Sequence, residues 1–268
     1  MYYDFHYYLD LLSSIGEECS RHGFDLLLSA CTDRALEHSA YERIVGGQRV
    51  DGMILTGTWH GDERIAYLVE KEFPFVALGR SEQDGNFPYV DVDGAKGVSD
   101  GVQLLIAQGY RRIGFIGLPT ELVCAGHRFQ GYQAALERNG LGFDPGLAVD
   151  CERLTQVAGY QAMRRLLELD EPLDAAFVCS DEMALGAMKA VQDKGLAVGR
   201  DFGIVGFDDI PMAVQIQPPL TSIRQPIYEI GTRLCQMLIQ RIQGEHLVEQ
   251  HVILEPALVV RESSGVHQ

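Results

Sequence analysis

No stretch of this chain approaches the ~20 consecutive apolar residues that a membrane-spanning helix needs, and its opening, MYYDFHYYLD, lacks the basic-then-apolar order of a secretion signal. A cytoplasmic location and no membrane partner are expected. The six cysteines (Cys19, Cys31, Cys124, Cys151, Cys179 and Cys235) form no CxxC pair and have no histidine at ligand spacing. That excludes a zinc ribbon or a thioredoxin-type motif and leaves reduced, mostly buried thiols. The eight histidines show no ligand pattern either, so neither a metal nor a cofactor is expected. Basic residues are scarce: 22 Lys and Arg against 38 Asp and Glu give a net charge of −16. Phosphate affinity rests on Lys and Arg, so this polypeptide by itself is not expected to hold nucleic acid. The acidity serves solubility or reflects a salt-rich cytoplasm. Enzyme signatures are missing as well: there is no GxGxxG, no Walker loop, no HExxH and no GxSxG. Acidic pairs such as Glu17 and Glu18 fall on helix faces and read as solvated, so no enzyme is expected.

What the chain does contain is alternation. Residues 24–29, 52–56, 75–78, 113–118, 175–179 and 204–207 are nearly all apolar, as strands buried on both faces are. Helical periods lie between them. The first places Phe5, Tyr8, Leu9, Leu12, Ile15 and Cys19 on one stripe and closes at Gly23. Others are expected over 95–108, 128–139, 157–169 and 182–194. Such βα grammar implies α/β architecture with doubly wound parallel sheets and right-handed crossovers. With 268 residues the chain has room for one or two domains, and the polar, turn-rich stretch 79–93 reads as a connection between two of them.

The end of the chain carries the most information. PPLTSIRQP (218–226), one amphipathic helical pattern and LEPALVVRESS (254–264) place two short β-rich runs on either side of a helix, as if the chain leaves one sheet and returns. Six further pieces stand in order: RVDGMIL (49–55), VDVDGAKGV (90–98), QGYRRIGFIG (108–117), GHRFQGYQAAL (126–136), SDEMALGAMKAVQDKGL (180–196) and VGFDD (205–209). Together with the C-terminal signature they resemble the lactose/galactose repressor (LacI/GalR) family of transcriptional regulators over nearly the whole chain. The resemblance implies two doubly wound parallel-sheet lobes joined by crossover strands, periplasmic-binding-protein-like. It divides the chain into 1–91 plus 224–250, then 92–223 plus 251–262, with 263–268 as a tail. It also implies a homodimer and a small-molecule effector, with operator DNA held through an N-terminal headpiece. Members of the family begin with that helix-turn-helix headpiece and an apolar strand, and neither stands at the start of this sequence, so the sequence is expected to be truncated.

Candidate site residues follow from fold and resemblance together, because open α/β sheets bind ligands beyond the carboxyl ends of their strands. Asp208 and Asp209 follow the apolar run GIVGF directly. An aspartate takes two hydroxyl protons, and the resemblance places the first of the pair on the effector. Arg128 is expected to open the helix RFQGYQAAL and to grip two oxygens with its guanidinium fork. Asp181 is expected to cap a helix, and Ser180 aligns with a family position that touches ligand. Aromatic rings pack on sugars and stack on bases, which brings in Tyr7 and Tyr8 from the resemblance, and Trp59 and Tyr89 as walls of a cleft. Leu154 falls where some relatives place an apolar wall. Asp91 and Asp93 share a strand face, and the resemblance gives them a structural role. The reading is therefore an effector-sensing core that controls operator binding. A periplasmic-type sugar receptor shares the fold and would carry a secretion signal, and an enzyme on the same scaffold would need a nucleophile or phosphate loop.

Overall fold

The computed structural model describes residues 5–29, 34–81 and 87–265, so Cys31, His267 and the side chain of Phe5 lie outside the description. The first elements are α1 (Phe5–Arg21), α2 (Arg34–Val45), β1 (Met53–Thr56), α3 (Glu63–Glu70), β2 (Phe75–Leu78), β3 (Tyr89–Val92), α4 (Gly94–Ala107), β4 (Ile113–Gly117) and α5 (Val123–Arg138). Then come β5 (Ala148–Asp150), α6 (Gln156–Leu167), β6 (Ala175–Val178), α7 (Asp181–Asp193), β7 (Gly203–Asp208), β8 (Thr221–Arg224), α8 (Ile227–Ile242), β9 (His251–Leu254) and β10 (Ala257–Val259). These form two units. One holds Tyr8–Val92 and Pro226–Leu254; the other holds Asp93–Gln225 and the residues from Glu255 on, with the first turn of α1 through Tyr7 grouped with it.

The first unit has a parallel sheet of order β1-β2-β3-β9. β2 (FVAL) is buried along its whole length, and Leu55, Ile65, Leu68, Phe75 and Phe87 form the core beside it. α3 begins where Asp62 accepts the Arg64 N–H at 3.1 Å, an N-cap that satisfies an otherwise orphaned donor. Neither α2 nor α3 was anticipated from periodicity, since α3 has only eight residues and α2 no clear apolar stripe.

Three expectations for this unit are corrected. Residues 24–29 form no strand, and Leu26, Leu27 and Leu28 are 44, 58 and 66% exposed. An apolar β-prone run becomes a strand only where a neighbour completes its ladder, and among the described residues it has none. The buried face of α1 is Leu11, Ser14, Ile15 and Glu18, which shares only Ile15 with the expected stripe; Tyr8, Leu12 and Cys19 are half-buried and Leu9 is 45% exposed. Glu18 joins that face because α8 supplies a partner, Gln236 Nε2, which donates to it at 2.8 Å; Arg21 of α1 itself adds a bond at 2.6 Å. Finally, His251–Leu254 pairs with β3 in this sheet, so the expected boundary at 250/251 moves to Leu254.

The second unit has a six-stranded sheet of order β10-β8-β7-β6-β4-β5, parallel except for β10, which runs antiparallel to β8. Its central strands β4, β6 and β7 are buried throughout. Phe115 stacks on Tyr132 at 4.9 Å between ring centres, and the Tyr132 hydroxyl donates to the Ile113 carbonyl at 2.7 Å. α6 and α7 cross at glycines: a Cβ at Gly186 would lie 1.8 Å from the Gln156 oxygen, and one at Gly159 2.0 Å from the Met183 oxygen. The expected tail beginning at 263 is instead part of this core. Ser263 and Ser264 are fully buried, and Ser263 Oγ donates to the Ile204 carbonyl at 2.7 Å.

Candidate functional site

In the second sheet the chain leaves β4 toward β5 on one side, while β6 lies on the other. That reversal leaves a crevice beyond the carboxyl ends of β4 and β6, the place where open parallel sheets bind ligands. α5 and α7 follow those two strands, so their first turns border it.

α5 begins at Val123, which puts Arg128 in its second turn and not at its start as expected. The side chain is 9% exposed. Its guanidinium carbon sits 3.6 Å from the centre of the Phe207 ring, and one terminal nitrogen donates to the Cys179 carbonyl at 2.6 Å. The ring face and the carbonyl hold the guanidinium flat in a dry setting, where such a cation–π contact contributes about 2 kcal/mol. Its Nε is buried with no hydrogen-bond partner. A Cβ at Gly94 would stand 3.2 Å from Arg128 Cγ, so the small residue there leaves room for the arginine stem.

Ser180 follows Cys179. Its backbone is extended and it is the residue preceding α7, yet its hydroxyl caps nothing, is fully buried and has no partner. Asp181, expected as the cap, plays another part. It accepts Ser222 Oγ at 2.7 Å and the Ile210 N–H at 3.0 Å, tying α7 to β8 and to the end of β7. Burial, with the Asp208 carboxylate beside it, pushes its carboxyl well above the usual range.

Asp208 ends β7 at φ 112°, a conformation L-residues rarely adopt, and it is 8% exposed. Gln225 Nε2 donates to its Oδ1 at 2.7 Å. Strain of this kind persists only where the surroundings over-determine it, and it clusters at functional sites. Asp209, also at positive φ, is fixed by Arg224 at 2.6 Å and Arg261 at 2.7 Å and supports the fold.

Arg128, Ser180 and Asp208 are thus brought to one edge, linked through Cys179 and Phe207. Leu154 is half-buried in the loop after β5. Tyr7 and Tyr8 are half-buried in the first turn of α1, where the boundary between the two units falls. Trp59 lies 4.0 Å under the Arg64 guanidinium, which Asp62 and Glu37 hold at 2.7 and 3.2 Å. Tyr89 stacks on His251 at 4.5 Å, a cross-strand pair. Asp91 takes the Arg80 guanidinium at 2.6 Å, and Asp93 caps α4 by accepting the Lys96 N–H at 2.9 Å.

Three residues at this edge escaped sequence reasoning: Phe207, Gln225 and Asp150. Gln225 precedes the proline of PPLTSIRQP, so the motif carried the signal without its role. Asp150 ends β5 with a carboxyl oxygen 2.2 Å from where a Gly117 Cβ would be, and partial burial raises its carboxyl above the usual value. Among the described residues no group of three His, Cys, Asp or Glu side chains is placed to share a metal ion. No described helix is long and apolar enough to cross a membrane.

Residues 102–264 match the periplasmic binding protein-like domain. The transcriptional regulator CelR of Thermobifida fusca is 35% identical over 260 residues, 96% of this chain and 76% of the relative. A regulatory protein of the LacI family from Chloroflexus aggregans superposes with a TM-score of 0.90 at 34% identity, covering 98% of this chain and 94% of that one. The chain belongs to the LacI family of transcriptional regulators. A solved complex of CelR with cellobiose aligns with this LacI-family chain at a TM-score of 0.91 and 33% identity, over 96% of this chain and 79% of that one. Three of the motif pieces fall at the carboxyl edge of the second sheet. GHRFQGYQAAL carries Arg128, SDEMALGAMKAVQDKGL opens on Ser180, and VGFDD ends on the strained aspartates.

Proposed function

We propose that this LacI-family chain is the effector-sensing, dimerising core of a cytoplasmic regulator. In this reading it binds a neutral sugar at the carboxyl edge of the second sheet. The observation that carries the proposal is the pair of buried, unpartnered polar atoms, Arg128 Nε and Ser180 Oγ, close to the strained Asp208. Orphaned donors in a dry crevice favour a ligand that brings oxygens, because leaving them unmet costs about 1–3 kcal/mol each. A carboxylate at the same edge accepts hydroxyl protons and repels phosphate, which supports a hydroxylated, uncharged ligand. Trp59, Tyr89, Tyr7, Tyr8 and Leu154 are proposed as further contacts. The cellobiose held by CelR supports the same class.

In this proposal the effector acts by binding two arrangements of the two units unequally. That difference raises or lowers operator affinity of a homodimer carrying DNA-binding headpieces, with a coupling of about 1–3 kcal/mol. A thermal-shift screen against cellobiose, other neutral sugars, sugar phosphates and nucleosides tests the reading. A cognate ligand at a hundredfold its Kd adds about 2.7 kcal/mol, and the shift should be confined to neutral sugars. Stabilisation by a sugar phosphate or a nucleoside alone would overturn the ligand class.

A further inference from the structure

We infer that Cys19 and Cys235 form a redox-modification site in the first unit, where a hydroperoxide joins them in an intrachain disulfide that fastens α1 to α8. The two Sγ atoms lie 3.4 Å apart, although 216 positions separate them in sequence. That is van der Waals contact, and a bond at about 2.05 Å asks the sulfurs to close by roughly 1.4 Å, within reach of side-chain rotation.

The helices around the pair are held in place. A Cβ at Gly231 would lie 1.8 Å from Ser14 Oγ, so α1 and α8 touch backbone to side chain. Gln236 also donates to Glu18 at 2.8 Å, and the Tyr228 hydroxyl bonds Glu17. The sulfurs therefore meet as a consequence of helix packing and not of chain proximity.

The two thiols have different access. Cys19 is half-buried and faces solvent in part, whereas Cys235 is 1% exposed. Burial, followed by the neighbouring Cys19, pushes the Cys235 thiol up to about 12, so it stays protonated and waits as the resolving partner. In the first step the Cys19 thiolate attacks a peroxide oxygen; the O–O bond breaks, an alcohol or water leaves, and Cys19 becomes a sulfenic acid. Cys235 sulfur then attacks Cys19 sulfur. The S–O bond breaks, and the departing hydroxide takes the Cys235 proton as water. Two thiols and one hydroperoxide thus give one disulfide, one alcohol (or water) and one water, with two electrons passed to oxygen. A reducing cytoplasm keeps the dithiol as the resting state, and an oxidant burst moves it. Because α1 carries Tyr7 and Tyr8 in its first turn, oxidation fixes the helix that presents them.

The test treats the folded chain with hydrogen peroxide near stoichiometry, alkylates remaining thiols and reads intact mass and a peptide map. The expected result is loss of the mass of two hydrogen atoms, a linked peptide pair containing positions 19 and 235, and reversal by dithiothreitol. Cys19→Ser, at a half-exposed position, should fold normally, give no link and leave Cys235 open to alkylation after denaturation. Sulfinic acid at Cys19 with Cys235 still a free thiol, a link mapped to any other pair, or an unchanged mass would each overturn the inference.

Discussion

Asp208 offers a direct measure of strain held at the candidate site. Asp208→Ala and Asp208→Gly remove the same carboxylate and the same 2.7 Å bond from Gln225, so those losses cancel when the variants are compared. They differ in a Cβ at φ 112°. An L-residue in a sparsely populated region costs about 1–3 kcal/mol, while glycine gives back roughly 0.5–1 kcal/mol through the greater freedom of its unfolded chain. The glycine variant should therefore be the more stable of the two by about 1 kcal/mol, which in a chain of this size is a Tm difference of about 2–4 °C. Urea unfolding followed by circular dichroism reads it as a shift in midpoint at constant slope. Fluorescence of the single tryptophan is the poorer probe, because Trp59 lies in the first unit and Asp208 in the second. An alanine variant equal to or more stable than the glycine variant would show that the positive φ stores no strain. Neither variant should bind effector, and binding by the glycine variant would remove the carboxylate from the site.

Arg128→Met keeps apolar length over Phe207 and deletes the fork. It should weaken binding of the effector found by the thermal-shift screen by about 2 kcal/mol or more, roughly thirtyfold, with a smaller change in stability because a desolvated charge leaves along with its contacts; a Kd unchanged by calorimetry refutes the placement. Asp181 gives a pH signature. Its folded carboxyl holds its proton above the unfolded value of about 3.9, so stability falls as pH rises from about 4 toward the folded pKa, at up to about 1.4 kcal/mol per pH unit. Asp181→Asn lacks that slope and carries a constant offset from one mismatched bond; wild-type and variant stability profiles running parallel from pH 4 to 8 would refute the reading.

Much of this protein was legible in one dimension because periodicity, caps and glycine stops are local. Buried runs such as FVAL and IGFIG announced parallel strands, and ordered motifs announced the family, whereas the stretch read as a connection, 79–93, ends in β3 of the first sheet. Residues whose state depends on a distant partner were not legible. Residues 24–29 have the composition of a strand, and the ladder that would make one is a tertiary matter. The stripe of α1 includes Ser14 and Glu18 because α8 brings Gly231 and Gln236 to them. Asp181 is the first residue of α7, one past the cap position, and Ser222 and Ile210 from elsewhere in the chain donate to its oxygens. Sequence alone determined the alternation of strands and helices and offered, through side-chain chemistry and family resemblance, candidates for meeting a ligand. Only the tertiary structure decided that Arg128 lies flat on Phe207 with its Nε unpaired and that Asp208 is held at positive φ, since those states are set by contacts between residues far apart in the chain.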